Sequence, residues 1–219
     1  ADDTLWEQQV HFDRAFERFV DFLDHSTLSA GAVHDILDDI ERVNAKSHGY
    51  GSVNFGRNLA ECYEKLVERH LTPDDLRAVM RFAEEILEQP IALIEGVEDT
   101  LAYLAERHEL VLVTKGHAEE QQRKIDASGL AGFFPVVHIV KEKDASAYRE
   151  IVETMGFEPS RGWMIGNSPK SDINPSLEAG LNAVYVPSSR TWTLERAEVR
   201  TGPGRLLRLS RFAELRDHF

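Results

Sequence analysis

Reactive side chains recur at the ends of short apolar runs. Leu110-Val111-Leu112-Val113 is followed by Thr114, Lys115 and Gly116. The run from Pro135 to Val140 is followed by Lys141 and Lys143, and Trp163-Met164-Ile165 by GNSPKSD, residues 166–172. Together these supply a hydroxyl, an ammonium and a carboxylate, the set that a phosphate group and a divalent cation need in one place. A further acidic pair, Asp2-Asp3 with Thr4 behind it, stands at the head of the sequence ahead of any strand or helix pattern.

The runs that carry these groups are short, rich in β-branched residues and bounded by charged or glycine-containing segments, which is how strands read. Similar runs follow at Ala183 to Val186 and Leu206 to Leu209. Helical patterns separate them near Ala118 to Ser128, Ala145 to Met155 and Pro175 to Ala179, with a closing helix expected over Phe212 to Phe219. Strands alternating with helices predict an α/β fold, a parallel sheet covered by helices on both faces. In such a sheet the working residues lie at the carboxyl ends of the strands. Thr114, Lys143 and the 166–172 segment occupy those ends.

From Trp6 to Pro90 the pattern is helical throughout. Phe12, Phe16, Phe19, Val20 and Leu23 fall on one face of a first helix, and Val33, Ile36, Leu37, Ile40 and Val43 on one face of a second. Leu59, Cys62, Leu66 and Val67 mark a third. Thr72-Pro73-Asp74-Asp75 opens a fourth, with a capping hydroxyl, proline at the first helical position and acids at the positive end of the dipole. The change of rhythm falls between Pro90 and Gly96.

The 219 residues carry a formal net charge of -13, with 42% hydrophobic and 29% charged residues. That balance is ordinary for a folded globular chain. The negative field disfavours binding to nucleic acid or to an anionic membrane surface, and no apolar run approaches the roughly 20 residues of a membrane span. A small anionic substrate remains compatible, because a bound cation inverts the local sign. Cys62 is the one cysteine and lies at a helix-period apolar position, where packing is the expected role; a reducing, cytoplasmic setting is the matching expectation.

In order and spacing these segments resemble the haloacid dehalogenase superfamily, in its phosphatase branch. Ala1-Asp2-Asp3-Thr4 is similar to that family's first motif, D-x-D-x-T, from its second position onward, with the first aspartate falling immediately before Ala1. Thr114, Lys115 and Gly116 resemble the second motif, Lys143 the third and residues 166–180 the fourth. The resemblance implies a Rossmann-like core over 1–7 and 97–219, with an inserted α-helical cap over 8–96. It implies a Mg²⁺-dependent phosphatase acting on a small phosphorylated metabolite through an aspartyl phosphate, as a monomer or homodimer. Asp2, Asn167 and Asp172 would serve the metal, Asp2 through its backbone carbonyl. Thr114, Lys115, Gly116 and Lys143 would hold the phosphate, the side chain of Asp2 would act as acid and base, and Thr4 would orient the loop.

Two departures accompany the resemblance. Asn167 stands where the fourth motif often has aspartate, and the nucleophilic aspartate is expected on roughly 5 to 10 mostly apolar residues ahead of Ala1. The competing functions are a phosphomutase, a dehalogenase (against which Asp2 argues) and an inactive binding protein on the same fold. Each residue also has a plainer role: a solvated terminus for Asp2 and Asp3, a helix cap for Thr114 or Asp172, and surface charge for Lys143, with Lys141 its rival. Asn44, His48, Tyr50 and Arg57 are polar residues of the helical segment that could meet a substrate, and Trp163 and Trp192 read as packing residues.

Overall fold

The computed structural model describes all 219 residues, Ala1–Phe219, and the chain divides into two compact units, Gln8–Pro90 and Ala1–Glu7 with Ile91–Phe219. The unit Gln8–Pro90 holds helices α1 (Gln9–Leu23), α2 (Ala30–His48), α3 (Ser52–Leu66) and α4 (Pro73–Glu84). Their apolar stripes meet in one core that buries Phe19, Leu37, Leu59, Cys62, Tyr63 and Val79. Burial pushes the Cys62 thiol up to about 12, as a packing residue requires. At the head of α4 the Thr72 hydroxyl accepts from the Asp75 amide while the Asp75 carboxylate accepts from the Thr72 amide, a reciprocal capping box. Val43 departs from expectation and is 68% exposed. Past Ile40 the buried side of α2 runs through Glu41, and Asn44 donates to Asn58 and Glu61 of α3, so Val43 is turned outward.

The other unit runs α5 (Val97–Ala105), β1 (Val111–Lys115), α6 (Ala118–Ala127), β2 (Val136–Val140), α7 (Ala145–Met155), β3 (Trp163–Gly166), α8 (Asn174–Glu178), β4 (Asn182–Tyr185) and β5 (Leu206–Arg208). All strand pairs are parallel. β1 pairs with β2, from Val111 against Val136 to Lys115 against Val140, and β3, β4 and β5 form a second set in that order. Alternate strand residues face opposite sides, as the period of a strand dictates. Leu112, Trp163, Ile165 and Val184 join the core containing Leu101 of α5 and Ile125 of α6. Val113 and Met164 pack with Tyr148 and Val152 of α7, and Ala183 with Leu177 of α8. The expected closing helix is instead a 3-10 turn, Phe212–Asp217, tight enough to bury both Phe212 and Leu215.

Neither β1 nor β3 has a strand partner on its second edge. A cavity of about 510 Å³ lies there, lined by Val111 and Val113 on one side, by Trp163 and Ile165 on the other, and by Ala1 and Leu5. Leu5 continues into a short antiparallel contact: its carbonyl accepts from the Ile94 amide at 3.0 Å, and the Glu7 amide donates to the Ala92 carbonyl at 2.9 Å.

Candidate active site at the strand ends

The end of β3 is built around Asp172. Ser168 leads into a π-turn over Pro169–Ile173 whose backbone folds back, the Asp172 and Ile173 amides both donating to the Ser168 carbonyl at 2.9 and 3.1 Å. This returns the Asp172 carboxylate to the strand end, where Oδ2 accepts the Ser168 amide at 2.9 Å and Oδ1 accepts Lys143 Nζ. A Cβ at position 166 would collide with the Asp172 carboxylate, so Gly166 is required for the fold-back. Both partners of the Lys143–Asp172 pair are buried. Burial alone would raise the Asp172 carboxyl, but the charge of Lys143, with hydrogen bonds from Lys143 and Ser168, outweighs it and holds the group below its ordinary value.

The acidic head of the chain is also a built structure. Asp2 accepts Lys124 Nζ on both oxygens at 2.8 Å, Trp6 Nε1 at 2.7 Å and Gln121 Nε2 at 3.2 Å. Its carboxyl would be raised by burial, yet the Lys124 charge and the hydrogen bonds from Lys124 and Trp6 hold it well below the usual carboxylate range. Gln121 links this group to β1, since its Oε1 accepts the Thr114 hydroxyl at 3.0 Å. The Thr4 hydroxyl donates to Asn167 Oδ1 at 2.9 Å and so ties the head of the chain to the end of β3.

A third cluster surrounds Lys115. Its ammonium donates to Glu195 Oε1 at 2.6 Å, Ser171 Oγ at 3.0 Å and Glu142 Oε1 at 3.1 Å. Glu195 belongs to a short turn after β4, and its second oxygen accepts the Ser168 hydroxyl at 2.6 Å. Burial would raise the Glu195 carboxyl; the Lys115 charge and hydrogen bonds from Lys115, Ser168 and Ser171 reverse the shift and lower it. Tyr148 stands behind both clusters, its hydroxyl donating to the Ser171 carbonyl at 2.9 Å, and burial with the nearby charges of Asp172 and Glu195 pushes its own ionisation well up.

The structure therefore pairs Lys143 with Asp172 and Thr4 with Asn167 at the end of β3, and joins Asp2 to Thr114 through Gln121. The plainer roles fare differently. Lys141 is exposed while Lys143 is buried, and Thr114 does not cap α6, whose N-cap is His117. Gly116 has a positive φ of 140°, and a side chain there would press on Gln121. Sequence reasoning passed over Gln121, Lys124, Ser168, Ser171 and Glu195. One signal existed for the first two: α6 carries few apolar residues, so its inner face had to bury polar groups with partners. For Glu195 there was none, because it sits in neither a strand nor an amphipathic helix.

Asp172 and Asn167 are the side-chain oxygen donors at the end of β3, and no three His, Cys, Asp or Glu side chains gather into a ligand cluster. Magnesium binds through one or two carboxylates completed by waters and substrate phosphate oxygens, so one buried carboxylate beside an amide oxygen suits that ion in kind.

The family model for haloacid dehalogenase-like hydrolases matches residues 22–186, and the chain belongs to that family. The structure of a haloacid dehalogenase-like family hydrolase from Xanthomonas campestris superposes with a TM-score of 0.85 at 28% identity, covering 100% of this chain and 87% of that one. Among curated proteins, N-acylneuraminate-9-phosphatase of Rattus norvegicus is 30% identical over 107 residues, 46% of this chain and 43% of that protein. Phosphoserine phosphatase of Thermus thermophilus is 31% identical over 94 residues, 39% and 38% of the two chains. The chain thus aligns with less than half the length of these curated relatives.

Proposed function

We propose that this hydrolase is a phosphoric monoester hydrolase, acting on a small phosphorylated metabolite with Mg²⁺ and through an aspartyl phosphate. The observation that carries the reading is the buried Lys143–Asp172 pair at the strand ends, a cation and an anion enclosed where a sheet of this kind does its chemistry. The phosphatases among its relatives support the same class.

The nucleophile of this reading is an aspartate directly ahead of Ala1, at the end of a strand running between β1 and β3; the apolar cavity along both strand edges supports that place. Its carboxylate would attack phosphorus, breaking the bond to the leaving alcohol, and water would then cleave the acyl phosphate. Lys143, the Thr114 hydroxyl and the Gly116 amide would hold phosphate oxygens and offset the charge that develops on them. Asp2 would take a proton from the attacking water, a step that suits the ionised form favoured by Lys124; to protonate the leaving alcohol it would first have to leave Lys124 and take up a proton. Asp172 and Asn167, with the Asp2 carbonyl, would hold Mg²⁺, which when bound neutralises the repulsion between carboxylate and phosphate. Thr4 would fix Asn167, and the helical unit Gln8–Pro90 would act as the cap that selects the leaving group.

The test is turnover of p-nitrophenyl phosphate by the intact protein with and without Mg²⁺. Cation-dependent phosphate release is expected, and Asp172→Asn should lower it by at least about 100-fold while circular dichroism stays unchanged. Halide release from 2-chloropropionate without phosphatase activity would replace the reading with a dehalogenase.

A further inference from the structure

An ammonium group has three N–H donors, and those of Lys115 meet three acceptors: Glu195 Oε1, Ser171 Oγ and Glu142 Oε1. Two of these acceptors are carboxylates, so the Lys115 charge is already balanced where it sits. Glu195 spends its other oxygen on Ser168 Oγ, at the opposite strand end, and both Lys115 and Glu195 are nearly enclosed, with side chains 11% and 12% exposed. One carboxylate thus joins the end of β1 to the loop after β3, two strands that share no backbone pairing. Ser168 in turn gives its amide to Asp172 Oδ2.

We propose that Glu195 is a positioning residue of this site, and that the side chain of Lys115 serves as its strut rather than as a ligand for the phosphate. The Lys115–Glu195–Ser168 chain sets the spacing between the Thr114–Gly116 turn and the Asp172 carboxylate, which face one reacting group from two separately paired sets of strands. The inference rests on the phosphatase reading for its catalytic consequence and on geometry alone for the strut.

The experiment compares Lys115→Met, Glu195→Ala, Glu195→Gln and the Lys115→Met/Glu195→Ala double variant in the intact protein, by melting temperature and by p-nitrophenyl phosphate kinetics. Each single loss should lower kcat about 10- to 100-fold with KM and inhibition by inorganic phosphate within about twofold of the parent, since misplacement of reacting groups acts on rate. The double variant should be no worse than either single one, because both remove the same tie. Glu195→Gln, which keeps an oxygen acceptor, should recover part of the rate. A Lys115→Met protein that binds phosphate and substrate about tenfold more weakly while Glu195→Ala does not would make Lys115 a phosphate ligand and overturn the proposal. The melting temperatures decide the strut independently: additive losses in the double variant would refute it even in a protein without phosphatase activity, whereas coupled losses in such a protein would uphold the strut and reject only the phosphatase reading.

Discussion

At the scale of single residues, the site is a set of charges held in place by other charges. Lys143 with Asp172, Lys124 with Asp2 and Lys115 with Glu195 each place an ammonium against a carboxylate in surroundings largely closed to water. Such pairs contribute little net stability compared with apolar replacements, but breaking one leaves a buried charge without its partner. The lowered Glu195 carboxyl makes this measurable as a function of pH. A group whose folded value lies below its unfolded one stabilises fully above the unfolded value, near 4.3 for glutamate, and that contribution fades as pH falls through the folded value. Glu195→Gln should therefore cost about 1–2 kcal/mol at pH 7, a difference that holds down to about pH 5 and shrinks below pH 4. Urea unfolding of parent and variant across that range gives the answer; a difference that grows in acid would show that the carboxyl is not held ionised.

At the scale of elements, the feature that organises the α/β unit is the space between β1 and β3. Both strands expose a row of backbone donors and acceptors to it, and the side chains lining it are chiefly apolar. Open strand edges are where a further strand adds, and an apolar cavity is destabilising in proportion to its size. Joining an extended apolar segment of about five residues ahead of Ala1 should raise stability by about 3–5 kcal/mol, the burial of its side chains exceeding the entropy of ordering it. The same segment with alternate residues changed to serine should give little of that increase. Equal stability for the two would show that the cavity is not a strand site.

At the scale of the whole molecule, charge is the property that acts at a distance. A net charge of -13 repels polyanions at long range. Duplex DNA should show no retardation with this protein even at about 50 mM salt, where non-specific electrostatic binding is strong. A shift that disappears with added salt would reveal a basic surface that the overall charge conceals. The two compact units divide the chain's work in composition as well: one is helical and closed around aromatic and aliphatic side chains, the other carries the strands and the ion pairs described above.

The strands of the α/β unit were legible from runs such as Leu110 to Val113 and Trp163 to Ile165, and the helices of the other unit from their apolar stripes. Periodicity is a local property, and each element displays it without reference to its neighbours. Lys143 was separable from Lys141 in the sequence only through its distance along the chain to Tyr148; burial separates them directly. The sequence by itself determined the order of elements, the polar residues at the strand ends and the membership of a hydrolase family. Only the tertiary structure decided that Asp2 meets Lys124, that Lys115 is saturated by Glu195, Ser171 and Glu142, and that Val43 turns outward. These depend on contacts between residues far apart in the chain, and a pairing of that kind leaves no period or spacing in the sequence to read.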